Sequence, residues 1–467
     1  MSDPPGTVSF VNDHERSRSA IYQFEAWEPL LRLLRAENAE RLAAPGGRVL
    51  GRITRSSWSV PLKQMYNDGV RRMHDILVRD GIGAVTFVME METTGRTRLH
   101  LLVPSEAVEL GIGFNPGALV LVEGALPEPW RRLPEPTPEA VLAPSADPAL
   151  VERTVCGRLP DAVGATEAEI AAAELRLGIA LPEELKALYR VTRAKWSDWG
   201  GDYEASSRHS QAVRCELFDL AALYVAEAVT RECPWEHAAM EAVETRPSAA
   251  VQGLAGSPGW IAFGDNGGGD RLAVDLTPGP HGHLGQVILI SHEQNIGARL
   301  VADSLTDLLL DRLAAESADV EAQAPAAKSF AYDEESLGRA VHPGLEALAL
   351  DVRGGRPVGL APLMGLPRLR SLVAHPGALA DPTEIAELTG LEYLGMGSRE
   401  WGDVLDADAV PEGLLAVAVS GPFDEDPLAV AGLANELLAL WGRPRIAQSV
   451  VEGYLGLEGQ AGTPTDK

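Results

Sequence analysis

Cysteine is scarce in this chain: Cys156, Cys215 and Cys233 are three residues in 467, with no Cys-x-x-Cys spacing. That count excludes a disulfide framework and a thiolate cluster, and it fits a reducing compartment. Lysine is rare, and positive charge is short overall: Lys and Arg number 40 against 67 Asp and Glu, for a formal charge of -27. A generic nucleic-acid binder needs a basic face to displace counterions, so the balance excludes that class. It also disfavours anionic membrane surfaces. No apolar run approaches the roughly 18 residues needed to span a bilayer. The opening MSDPPGTVSF lacks the basic and apolar stretches of a secretory leader. The expected location is therefore the cytoplasm. Neither a nucleophile-elbow pattern nor a P-loop occurs.

Hydrophobic residues at 45% and charged residues at 23% give an ordinary globular balance. The length suits roughly two to four domains. The acid is uneven: residues 1–160 hold 20 acidic and 18 basic residues, 161–320 hold 25 and 12, and 321–467 hold 22 and 10. Two stretches read as linkers. Residues 127–160 begin with the Pro- and Ala-dense PEPWRRLPEPTPEAVLAPSADPA, and 316–335 begin with the Ala-rich ESADVEAQAPAAKSF. They divide an α+β multidomain chain into parts at 8–126, 161–315 and 336–458.

In the first part, Trp27, Leu30, Leu31 and Leu34 recur at helical spacing, and Tyr66, Val70, Met73 and Leu77 predict a second helix near 62–79. Val85, Phe87 and Met89 alternate as in a strand, Thr93-Thr94-Gly95 reads as a turn, and Leu99, Leu101 and Val103 make the return strand. Residues 118–122 (ALVLV) read as a third strand of this α+β unit. Gly111-x-Gly113 lacks the GxGxxG spacing and reads as a turn rather than a phosphate loop.

The middle part opens with Thr166 and Glu169 spaced as a capping box. Gly178 is placed to end that helix and Pro182 to begin the next. Leu185, Leu188 and Tyr189 supply its buried face. Ser304 and Asp307 signal another helix start, followed by Leu305, Leu308, Leu309 and Leu313. Between these helices, Trp260–Phe263 and Leu272–Leu276 flank a glycine-rich connection, the pattern of a hairpin whose loop needs positive φ. Val287–Ile290 is a third strand.

The order LPEELKALYRVT, ELFDL, WIAFGDNGGGDRLAVDL, QVILISHE, SLTDLLLDRL resembles the SUKH superfamily, the fold shared by fungal cell-wall-assembly regulators and many bacterial immunity proteins. The resemblance covers 161–315. One departure is that many members carry Asn-Gly after the second helix, where this chain has Arg193-Ala194-Lys195-Trp196.

The third part repeats. LxxLxL-type units begin at Leu345, Leu369, Leu391 and Leu414, at spacings of 24, 22 and 23 residues. Such units lay short strands side by side and send leucines into one core. They resemble a short, atypical leucine-rich repeat array lacking the usual Asn. Residues 427–441 read as its cap, which keeps the last unit's apolar edge from water. The resemblance implies an open concave face available to protein.

Three constellations invite a chemical reading. Asp265, Asn266 and Asp270 suggest hard-cation ligands, but without EF-hand spacing they read better as caps of a glycine hairpin. His281, His283, His292 and Glu293 match no metal motif. His100 and Glu90 are the faint support for an enzyme in the first part. No metal or other cofactor is expected. Trp196, Trp199 and Tyr203, in a polar Gly-containing loop, stand out because loop aromatics bury large area at small entropic cost. Together with Asp265, Asn266 and Asp270 they form the candidate partner-binding set.

The resemblance implies a non-enzymatic, protein-binding function. The first expectation is an immunity protein of a polymorphic toxin system, covering a basic toxin domain with an acidic, aromatic-bearing surface. The alternative is an intracellular regulatory scaffold of the cell-wall-assembly type.

Overall fold

The structure is a computed structural model that describes residues 19–63, 67–110, 119–315, 326–352, 354–421 and 425–456. Tyr66, Gly111–Gly113 and residues 316–325 of the second expected linker lie outside the described residues.

Three sheets organise the chain. The first is antiparallel, in the spatial order Ala447–Tyr454, Arg96–Val103, Ala84–Met91, Arg48–Thr54, Trp58–Ser59. The helices Phe24–Glu37 and Asp68–Arg79 cover one face. Trp27, Leu30, Leu31 and Leu34 are buried there against Val85, Phe87 and Met89, and the Trp27 and Phe87 rings meet edge-on at 5.3 Å. The expected 8–126 unit needs two corrections. Its edge strand Ala447–Tyr454 comes from the far end of the sequence and places Val451 in this core. Its expected strand at 118–122 leaves for another sheet: within Leu119–Val122, Leu121 faces one core and Val122 another. A segment apolar on both sides belongs inside a sheet covered on both faces.

The second sheet carries the middle domain, with Arg299–Ala302, Gln286–Ile290, Arg271–Asp275, Trp260–Asp265 and Glu216–Leu217 in spatial order, all antiparallel. Tyr224–Val225 pairs further along Trp260–Asp265. The capping box forms as expected, with Thr166 and Glu169 satisfying each other's backbone donors, and Gly178 ends that helix at φ 71°. Helices Glu167–Leu177 and Glu183–Val191 pack Ile170, Leu185, Leu188 and Tyr189 onto the sheet. The first expected linker is largely built into this domain. Asp147 caps the helix Pro148–Arg158 by accepting from Leu150 N at 2.9 Å, and Val151 and Val155 enter the core. The helix after Ser304 is shorter than its leucines suggest, because Asp311 at φ 61° breaks the path and leaves Leu313 exposed.

The third sheet has seven strands. Lys328–Ala331, Ala347–Leu350, Ser371–Ala374, Tyr393–Gly397 and Ala416–Ser420 run parallel and in register, followed by antiparallel Leu119–Val122 and Val108–Leu110. Ala347, Ser371, Tyr393 and Ala416 lie side by side, so the sequence period is the sheet period. Leu348, Leu372, Leu394 and Val417 point to a core shared with the helix Pro427–Leu440. The opposite face was expected to be open. Instead, the helical turn Trp235–Ala239 of the middle domain packs on it, against Ala347, Ala349, Tyr393, Ala416 and Ala418. No helix among the described residues is long and apolar enough to cross a membrane.

Candidate aromatic docking site

The segment after the helix Glu183–Val191 builds an exposed aromatic surface of the middle domain. Ala194 adopts φ 53°, the left-handed region that the glycine of an Asn-Gly pair would occupy freely. Arg193 braces this turn by donating through Nε and Nη2 to both oxygens of Asp198, each at 2.8 Å. That guanidinium holds the Asp198 carboxyl below its usual range. Lys195 reaches Glu169 at 3.2 Å. Glu169 is pulled down to about 2, first by the Thr166 backbone N–H and then by Lys195.

On this brace sit Trp196–Trp199, a 3-10 turn, and the helix Tyr203–Val213. The Trp196 ring meets Trp199 edge-on at 5.9 Å and Tyr203 at 5.0 Å. Trp199 is half-buried against the core and lies 4.9 Å from the His209 ring. His209 is buried, its Nε2 lies 2.8 Å from the Thr192 hydroxyl, and burial pushes its pKa down to about 4. It is therefore a neutral ring at physiological pH and a flat, uncharged backing for Trp199. Trp196 is 46% exposed and Tyr203 80% exposed. The expected aromatic trio is thus one cluster with an inner member and two outer ones.

The expected polar trio forms a separate structure at the tip of the Trp260–Asp265/Arg271–Asp275 hairpin, and no ring contact or hydrogen bond joins the two sets among the described residues. Asp265 accepts from Gly267 N at 2.6 Å and pairs with Arg271. Asn266 accepts from Gly268 N and Asp270 N at 2.8 and 3.1 Å. Asp270 accepts from His292 N at 3.0 Å, and this donor, followed by the His292 ring, holds its carboxyl low. These oxygens close the loop on itself. The exposed tip, Asn266–Gly269, presents mostly backbone.

Elsewhere, His100 Nε2 does lie 3.5 Å from Glu90, beside a cavity of about 250 Å³ lined by Arg48, Glu90, Arg96 and Arg98. Glu90 is already paired with Arg48 at 2.8 Å. Burial pushes the Cys215 thiol up to about 12 and Cys233 up to about 11, so neither is a thiolate near neutral pH. Among the described residues no group of three or more His, Cys, Asp or Glu is placed to hold a metal.

Sequence reasoning missed Trp235, Glu109 and Arg370, which join the middle domain to the third sheet. The available signal was the alternation of Leu with Ala in LEALAL and of Val with Ala in LLAVAV. It leaves one strand face with side chains too small to cover themselves.

The middle of the chain is thus an α+β domain, an antiparallel sheet with helices packed on one face. Residues 164–311 match the SMI1 / KNR4 family (SUKH-1), and the middle of the chain carries a domain of that family. The glucan synthesis regulatory protein of Neurospora crassa is 39% identical over 67 residues, 14% of this chain and 13% of that protein. The cell wall biosynthesis/cell cycle regulator smi1 of Schizosaccharomyces pombe is 41% identical over 68 residues, 14% of each. A KNR4/SMI1 homolog of Eremothecium gossypii is 41% identical over 64 residues, 14% of this chain and 10% of that protein. The match therefore spans about a seventh or less of each of these relatives.

Proposed function

We propose that this protein is a non-enzymatic regulatory scaffold whose SUKH-1 domain captures a protein partner through Trp196 and Tyr203. One observation carries the reading: two large rings stand open to solvent on a braced, rigid base, in a domain whose relatives are named as regulators of glucan synthesis and cell-wall biosynthesis. Exposed, preorganised aromatics are the usual anchors of protein interfaces. Trp199 fixes the ridge from below, and Asp265, Asn266 and Asp270 shape the separate hairpin tip as a second contact surface. In this reading the protein acts in the cytoplasm, binds neither nucleic acid nor membrane, and uses its parallel strands as an atypical leucine-rich repeat array beside the SUKH-1 domain.

The net excess of acid between 161 and 320 supports a second reading, an immunity protein that covers a basic toxin domain. Charge of that sign would raise the association rate more than the affinity. Capture from the native host with the full chain, run in parallel with a Trp196→Ala/Tyr203→Ala variant, tests both readings. A partner retained by the native chain and lost by the variant is expected. If that partner is a secreted toxin domain, the immunity reading wins; if it is a host regulatory or cell-wall protein, the scaffold reading does. Equal capture by both chains removes the ridge from the site.

A further inference from the structure

The contact between the middle domain and the third sheet has the construction of a receptor and its ligand. The seat is the face of the parallel strands that carries Ala347, Ala349, Ala416 and Ala418 around Tyr393. Alanines on alternate positions leave the space that Trp235, Ala239 and Met240 fill. Polar groups from the sheet hold the turn at both ends. Glu109, on the antiparallel edge, accepts from Trp235 N at 2.8 Å. At the other end Arg370 donates to the carbonyls of Ala239 and Glu241, and the Ser371 hydroxyl donates to Ala239 O at 2.6 Å. Lys328 pairs with Glu241 at 3.4 Å.

The inserted piece is slight: a five-residue turn between Pro234 and a long stretch, 240–259, without helix or strand. Closing it also buries groups that water would otherwise solvate. The Tyr393 hydroxyl has no hydrogen-bond partner and the residue is fully buried. Arg370, 8% exposed, is lowered by desolvation despite Glu128 and Glu346 nearby, and desolvation raises Glu109. A buried polar group without a good partner opposes burial. Opening the turn rehydrates the unpaired Tyr393 hydroxyl and exchanges the bonds of Glu109 and Arg370 to the turn for bonds to water, whereas opening the leucine core behind the strands gains nothing comparable. Trp235, Ala238, Ala239 and Met240 are buried, but the helical turn is only five residues long, runs into a stretch without helix or strand and closes over an unpaired hydroxyl, which places it toward the low-stability end of a native structure.

We infer that the alanine-lined strand face is a docking site for a tryptophan-bearing helical turn, held shut in cis by residues 234–241 and opened when a partner presents a competing turn of the same chemistry. The fitting partner segment carries an aromatic anchor, small residues one turn later, and free backbone carbonyls for Arg370 and Ser371. This surface is separate from the Trp196 ridge, and the inference does not rest on the function proposed above.

Two measurements on the full chain test it. In native-state hydrogen exchange, the amides of Trp235 and Ala238 should exchange more than tenfold faster than those of Leu272 and Val274 in the same domain's hairpin. Protection within tenfold of the hairpin means that the turn opens only with the whole domain, and overturns the inference. A labelled peptide of residues 234–245 should bind a Trp235→Ala chain at least tenfold more tightly than the native chain, and the same peptide with its tryptophan replaced by alanine should not. A smaller preference, or no binding to a variant with native circular dichroism, overturns it. Should Trp235→Ala fail to fold, the exchange measurement on the native chain decides alone.

Discussion

Trp196 and Trp235 belong to one domain, and each begins a short helical turn in a polar stretch. Trp196 is 46% exposed and Trp235 only 8%. Their immediate neighbours do not account for this. Trp196 meets the rings of Trp199 and Tyr203, a few residues further along. Trp235 finds strands whose alanines lie more than a hundred residues further on. Whether a loop tryptophan waits for a partner or already has one is decided by remote surfaces. The open ring consequently marks a surface free for a partner in trans, and the covered one a seat already filled in cis.

The contrast can be broken most directly by truncating each ring. Trp235→Ala should cost about 3–5 kcal/mol of unfolding free energy, the range for emptying a large buried aromatic site. Trp196→Ala should stay within about 1 kcal/mol, because the ring already faces water. Denaturant titration of both variants checks this, and similar losses would erase the distinction. A pH series sharpens the base of the open cluster. His209 titrates at about 4 in the fold, below its ordinary 6.5. A depressed folded value contributes stability that is present above pH 6.5 and lost as pH falls toward 4. Native stability should therefore drop by up to about 3 kcal/mol relative to a His209→Gln chain between pH 7 and pH 4. Parallel titrations at the two pH values read the difference, and a constant offset would mean that His209 titrates normally.

Smaller effects belong to binding. Trp196→Ala or Tyr203→Ala should weaken partner affinity tenfold or more, about 1.4 kcal/mol, with native stability kept. The association rate of the native chain should fall as salt rises, since the surrounding charge steers encounter. Surface plasmon resonance at low and high salt checks both; unchanged rates would remove the role of the acid. Smallest is Ala194→Gly, which relieves a left-handed alanine and should raise stability by about 0.5–1 kcal/mol. A loss in thermal denaturation would show that φ 53° is not the strained feature of the turn.

Local chemistry was readable from the sequence. The Thr166–Glu169 box, the Gly178 cap, the hairpin at 260–276 and the strand period of the third part all rest on residues a few positions apart. The closeness of Trp196, Trp199 and Tyr203 in sequence becomes one ring cluster, though the separation of its inner and outer rings was not readable. Contacts closed over hundreds of residues were not readable. Ala447–Tyr454 alternates weakly, and only its pairing with Arg96–Val103 makes it a strand. The helix at 148–158 was hidden among prolines, even though Asp147-Pro148 is a proper start signal. The polar trio at 265–270, by contrast, caps its glycine hairpin as its composition suggests, and its oxygens are consumed by the loop they close.

The strand Ala447–Tyr454 also sets an order of events. The polypeptide leaves the ribosome from its N-terminal end, and the first sheet's helices and inner strands, between Phe24 and Val103, emerge long before Ala447–Tyr454. Their edge, Arg96–Val103, then waits through more than three hundred further residues for its partner strand. Until Ala447–Tyr454 has emerged, a row of unpaired amides and carbonyls stands open to any passing chain. A message cut short after codon 440 would therefore yield a nascent product with that row permanently bare, a substrate for chaperones and proteases rather than a shortened working protein.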